Sequence, residues 1–228
     1  MSTPAIAPTG RAVDLEGQTT TTTAPHHVPR ALGNPAPLGL LSFATTMFMT
    51  SLLNLQPRGV NAPNIAVAFL TFFGGVGQFI AGIVEFVRGN TLGATLFSSY
   101  GGFNLSYALI YLPGSGIVSA YTDPETGELM PEFDQAVAMY IWAWFIISVI
   151  FTVANIRTTW ALLGTLFFLD VTLILLAAGL MSGRASCIKA SAAIGFVTAC
   201  FSYWAGAAAL YGDGTTPFNI PVGPLKKE

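Results

Sequence analysis

The sequence predicts an all-α integral membrane protein with six transmembrane helices, on three observations. The 228 residues are 53% hydrophobic and only 9% charged, with a mean hydropathy of +0.62, whereas a soluble domain carries about 25% charged residues. The apolar residues stand in six blocks of about 18 or more, the length a hydrocarbon core demands. Short alternating segments of about 10 residues, the mark of a membrane β-barrel, are not seen.

Residues 1–32 differ in kind from the rest of the chain. They hold a threonine run, Thr19–Thr23, with scattered prolines and alanines and little apolar clustering. This predicts a disordered cytoplasmic tail with room for phosphorylation or trafficking signals, in which His26 and His27 are solvated. No compact apolar core follows an N-terminal charge, so no cleaved leader is expected.

The first span, Leu38–Leu55, opens on the stretch GNPAPLG, Gly33–Gly39. Asn34 is expected to cap the helix, with Pro35 or Pro37 in the first turn, where a missing amide costs nothing. Two prolines, an asparagine and Gly39 together also predict an irregular opening that leaves amides of Pro35–Gly39, Leu38 included, free to meet an anion. Within the span, Gly39, Phe43, Thr46, Thr50 and Asn54 recur at helical spacing on one face.

The second span, Asn64–Val87, aligns Gly75, Gln78, Gly82 and Glu85 on one stripe and ends at the charged, turn-prone break Arg88–Asn90. The third, Thr91–Leu112, aligns Tyr100, Asn104, Tyr107 and Tyr111, and on a neighbouring face Thr95, Ser98 or Ser99, Gly102 and Ser106. An acidic loop comes next, then Ala136–Ile156, Trp160–Met181 and Ser186–Leu210, the last with a stripe of Ser191, Gly195, Thr198, Ser202 and Gly206. Residues 33–212 thus form the membrane domain and 213–228 a short cytoplasmic tail.

Two explanations compete for these stripes. Small residues let membrane helices approach closely, which suffices for most Gly, Ala and Ser. A solute pathway needs hydrogen-bonding groups along its route, and Gln78, Asn104, Asn54 and the tyrosines exceed what packing requires. Ionisable groups inside a membrane are costly and mark function; Glu85 and Asp170 are the two here. Glu85 has Arg88 within pairing reach, so an ion pair competes with proton relay; Asp170 lies near mid-helix. Both are candidate proton sites.

No catalytic triad, metal-spaced cysteines or histidines, nucleotide-binding loop or cofactor fingerprint occurs, and no basic patch suits a nucleic acid. The chain is therefore not expected to be an enzyme, to bind metal or to need a cofactor. Basic residues orient membrane spans. With the N-terminus inside, Arg11, Arg30, Arg88, Arg157, Lys226 and Lys227 lie on the cytoplasmic side against Arg58, Arg184 and Lys189 outside, which predicts both termini cytoplasmic.

Asn34-Pro-Ala-Pro-Leu-Gly-Leu40 resembles the signature of the acetate uptake transporter family, the succinate–acetate permeases. The resemblance continues through Phe73-Gly-Gly75, Gly77-Gln78, Ala81-Gly82, Glu85, Gly89-Asn-Thr91 and Ser99-Tyr-Gly101, and more loosely through Leu175-Leu-Ala-Ala-Gly179 and Ile194-Gly195. The Thr-rich tail and the extended loop Asp123–Asp134 are similar to the fungal branch. The resemblance implies a plasma-membrane hexamer of six-helix subunits passing acetate and similar monocarboxylates as a channel or proton symporter, with membrane lipids and its own copies as partners. It also implies a constriction at Phe43, Tyr100 and Leu169. The family often carries Trp where this chain has Asn104, which puts substrate size in question. Asn34, the amides of Pro35–Gly39, Gln78 and Tyr100 are expected to replace the water of the anion. The alternatives are an ammonium or ammonia conduit, or a non-transporting membrane scaffold or sensor.

Overall fold

A computed structural model describes residues 32–60, 64–212 and 216–225 of the chain. The Thr-rich tail with His26 and His27, and the terminal Lys226 and Lys227, lie outside the described residues. Six long helices run in order: α1 (Ala36–Asn54), α2 (Ile65–Val87), α3 (Thr91–Tyr111), α4 (Glu132–Ala154), α5 (Trp160–Ser182) and α6 (Ala185–Leu210). Their limits fall within four residues of those expected. The largest difference is α4, which starts at Glu132 rather than Ala136. Glu132 and Asp134 stand in its first turn, where negative charge complements the helix dipole, and Phe133 is already buried.

Five of these helices are long and apolar enough to cross a membrane. The exception is α3: its 21 residues have the length, but its Thr, Ser, Tyr and Asn content lowers its apolarity. Its polar stripe turns inward, with Tyr100 and Asn104 buried.

The helices close into a ring. The interfaces α1–α6, α6–α5, α5–α4 and α2–α3 are extensive, and α1 also meets α2. The ring shuts where α3 meets α4 through aromatic side chains, Phe103 stacking on Tyr140 at 5.8 Å and meeting Trp144 edge-on at 5.0 Å. Phe43, Tyr100, Ile141, Phe151, Leu166, Leu169 and Leu173 fill the centre. Lipid is as apolar as these side chains, so close packing rather than water exclusion holds the bundle together.

Small residues make that close approach. A Cβ on Gly82 would collide with the backbone of Ser98, and one on Gly101 would lie 2.6 Å from the Phe79 nitrogen, so α2 and α3 meet almost backbone to backbone. The stripe on α6 serves the same end: Gly195 abuts Ser51, Gly206 abuts Leu41, and Ser202 Oγ donates to the Leu40 carbonyl at 2.9 Å. There the packing explanation holds.

Two local features were not expected. Leu70–Gly77, inside α2, is π-helical, a wider turn found often at functional sites; the Gly-Gly-x-Gly run tolerates it. The C-terminal segment does not hang free over its described residues. Trp160 and Ala161 donate their amides to Gly223 and Val222 at 2.8 and 3.3 Å, and Trp204 Nε1 donates to the Pro221 carbonyl at 2.9 Å. Thr159 Oγ1 accepts from Leu162 N at 3.2 Å and the Thr159 carbonyl from Leu163 N at 2.9 Å. The three amides of the first turn of α5, which have no partner within the helix backbone, are thereby satisfied.

Candidate functional site

Two cavities lie on the inner side of the ring. The first, about 120 Å³, is bordered by Phe43, Thr46, Thr50 and Asn54 of α1, Tyr100, Asn104, Tyr107 and Tyr111 of α3, Trp144 of α4 and Leu169 of α5. The second, about 230 Å³, is bordered by Leu40 and Phe43 of α1, Gln78 and Glu85 of α2, Tyr100 of α3, Asn155 just past the end of α4 and Thr165 of α5. Phe43 and Tyr100 border both, with ring centroids 5.6 Å apart. Leu169 is buried in the same central cluster.

The stripes read from α1 and α3 therefore face one cavity, and the acid and amide of α2 face the other. Glu85 Oε2 accepts from Asn90 Nδ2 at 2.9 Å, within the cap of α3 rather than in the bond to Arg88 that the spacing suggested. Arg88 Nη1 reaches Asn34 Oδ1 at 3.1 Å. Asn104 Nδ2 donates twice, to the Gly74 carbonyl at 2.9 Å and to Gln78 Oε1 at 3.1 Å. The Tyr100 hydroxyl donates to Ser148 Oγ at 3.0 Å, so its proton is directed toward α4.

Asp170 borders neither cavity. Thr152 Oγ1 donates to its Oδ2 at 2.7 Å, while Oδ1 is buried and alone among the described buried side-chain atoms lacks a partner. Ser148 and Thr152, one helical turn apart on α4, thus join Tyr100 and Asp170 to one face. Sequence reasoning missed both hydroxyls; their i, i+4 spacing on an otherwise apolar helix was the signal available.

The helix opening is a correction. Pro35, not Asn34, occupies the capping position, and α1 is regular from Ala36. Of the three N–H groups in Pro35–Gly39, that of Ala36 binds Asn34 Oδ1 at 3.1 Å and that of Gly39 the Pro35 carbonyl at 3.1 Å. Leu38 turns outward, 39% exposed, and Gly39 lets the Phe97 ring approach within 2.7 Å of where a Cβ would stand. None of Asn34, Pro35, Leu38 and Gly39 borders either cavity. A pair of prolines so near a helix start is accounted for by fixed φ and by first-turn positions where a missing amide costs nothing. Among the described residues no group of three or more His, Cys, Asp or Glu is placed to hold a metal.

The family described as GPR1/FUN34/yaaH matches residues 16–227. The chain is 39% identical, over 85% of its length and 69% of the relative's, to the "Glyoxylate pathway regulator" of Yarrowia lipolytica. It is 36% identical to "Acetate permease A" of Emericella nidulans over 84% of this chain and 65% of that one. It is 36% identical to "Ammonia transport outward protein 2" of Saccharomyces cerevisiae over 75% and 59%. The chain thus spans about six- to seven-tenths of these relatives. Among solved structures, that of the bacterial acetate channel SatP aligns with a TM-score of 0.69 at 28% identity, covering 83% of this chain and all of the other. The relatives whose names state an activity are a permease, a transport protein and a channel, not enzymes.

Proposed function

Since the chain belongs to the GPR1/FUN34/yaaH family, the acetate uptake transporters that its signature resembles, we propose that it carries acetate and related small monocarboxylates across the plasma membrane along the bundle axis. One observation carries the reading: Phe43 and Tyr100 line two cavities at once, each largely apolar with a few polar groups at its border. With Leu169 they form an apolar constriction that a hydrated solute does not pass until it sheds water. The anion dominates above a pKa of about 4–5, and an unpaired charge in apolar surroundings is costly. Gln78 and the polar groups of α1 and α3 offset part of the lost hydration; Asn34, beside Arg88, stands at the helix ends that flank the second cavity.

The finer proposals rest on the sequence. α3 is the sixth span, because it has the length and its Tyr100 and Asn104 are buried in the ring. Both termini are cytoplasmic by the basic-residue bias, and the assembly is a hexamer by resemblance to the family. Protons accompany the anion through Asp170 or Glu85. A second reading, ammonium conduction, is favoured by the acid at the second cavity and by the name of the Saccharomyces relative.

Uptake of labelled acetate and of labelled methylammonium into liposomes holding the purified protein, with and without an inward proton gradient, tests these readings. Acetate uptake is expected, enhanced by the gradient. Methylammonium uptake without acetate uptake establishes the second reading, and movement of neither leaves a scaffold or sensor. Asp170→Asn is expected to remove gradient-driven accumulation and spare downhill exchange; unchanged accumulation assigns Asp170 to packing.

A further inference from the structure

Two amides meet across the α2–α3 interface, and one backbone carbonyl decides how both are turned. The oxygen and nitrogen ends of a carboxamide are told apart by their partners. The Gly74 carbonyl, inside the π-helical segment, can only accept, so the end of Asn104 at 2.9 Å from it is the NH₂ group. The same nitrogen lies 3.1 Å from the Gln78 side chain, so the end of Gln78 that faces it is Oε1. Gln78 is only 1% exposed and borders the second cavity. Its Nε2, with two N–H groups, makes no hydrogen bond to the described residues, and the residue lines that cavity. The N–H groups are therefore the end of this amide left for cavity two, which Gln78 borders.

We propose that Asn104 is a positioning residue that sets the ion preference of the pathway: by holding Gln78 Oε1, it turns the Gln78 N–H groups into the second cavity, where they meet a carboxylate. A free carboxamide rotates its oxygen toward a cation as readily as its nitrogen toward an anion. This one cannot, because turning it would oppose NH₂ to NH₂ and strand two donors in a buried interface. The π-helical turn, which places the Gly74 carbonyl at this point, thus reaches the cavity through two amides. The inference rests on the reading of Gln78 as a substrate contact.

The test measures acetate KM and the ratio of acetate to methylammonium uptake in liposomes for the parent, Gln78→Leu, Asn104→Asp and the double variant, each checked for monodispersity and thermal melting. Removing a hydrogen bond to a charged partner is expected to raise acetate KM about tenfold or more in Gln78→Leu. Asn104→Asp offers only acceptors, so Gln78 turns, and both the KM and the share of methylammonium should rise together. The new carboxylate borders the first cavity and draws a cation by its own charge, so a shift in ion ratio supports the positioning role only where the double variant loses it, and a shift that persists there overturns it. The double variant should be no worse than the poorer single. If Gln78→Leu keeps the parent's KM, the substrate-contact reading of Gln78 itself fails. If Gln78→Leu is impaired but Asn104→Asp keeps the parent's KM and ratio, or the two effects add, the positioning role is overturned and the contact stands. Should Asn104→Asp not assemble, Asn104→Leu decides: a KM raised about tenfold and not additive with Gln78→Leu supports the role, and an unchanged KM overturns it.

Discussion

Leu169 separates packing from passage more sharply than any other residue. It is almost fully buried in the cluster that holds Phe43 and Tyr100, and it borders the first cavity. In a packed core, Leu→Ala costs about 2–5 kcal/mol because a cavity remains. Here the new space adjoins space that is already open. Leu169→Ala is therefore expected to keep acetate uptake at matched expression and to admit bulkier monocarboxylates such as lactate. Competition of labelled acetate uptake by acids of increasing size measures this, and a profile identical to the parent's would remove Leu169 from the constriction. Asn104, which borders the same cavity, is a poorer place to restore bulk than the family comparison suggested, since its two donated bonds hold α2 to α3.

At the scale of elements, the α2–α3 pair shows two glycines with opposite duties. Gly82 faces the Ser98 backbone so closely that a methyl group cannot fit, whereas Gly102 has nothing within 4 Å of where its Cβ would stand. Backbone cannot yield as a flexible side chain can, so Gly82→Ala should destabilise the protein by about 1–3 kcal/mol. Gly102→Ala should be neutral or stabilising by up to about 1 kcal/mol, since alanine is the better helix former. Thermal unfolding of the detergent-solubilised protein, followed by loss of the monodisperse peak, ranks the two; equal Tm values would contradict the close approach of the helices. The pairing of residues 221–225 with the start of α5 belongs to the same scale. It shows a terminal segment supplying partners that a helix start would otherwise draw from water.

For the whole molecule, the expected orientation rests on the distribution of nine basic residues. Single cysteines placed at Thr20 and Thr126 in a chain cleared of Cys187 and Cys200 should label differently with an impermeant thiol reagent on intact cells. Thr126, in the acidic loop, reacts and Thr20 does not. Labelling of both from the same side would overturn the six-span arrangement, in which three helices separate the two positions. Much of this architecture was already legible along the chain. Residue hydropathy is a local property, and an isolated helix of about 20 apolar residues satisfies its own backbone inside lipid, so six helices were placed within four residues without any tertiary information. The inward faces were legible too, because Phe43, Thr46, Thr50 and Tyr100, Asn104, Tyr107 keep a helical spacing that tertiary contact does not alter. What lies between helices was not legible. Spacing does not say that Gly82 meets Ser98, that Tyr100 gives its proton to Ser148, or that Glu85 chooses Asn90 over Arg88, since each depends on which helix stands opposite and at what height. Nor does it say that the amides of Ala36 and Gly39 are engaged, or that α2 widens into a π-helix whose carbonyl turns Asn104 and Gln78. Sequence determined the helices and the faces they bury, because those depend on residues within a turn or two. Tertiary structure alone decided the partners of each polar group, because a hydrogen bond across an interface depends on two helices at once.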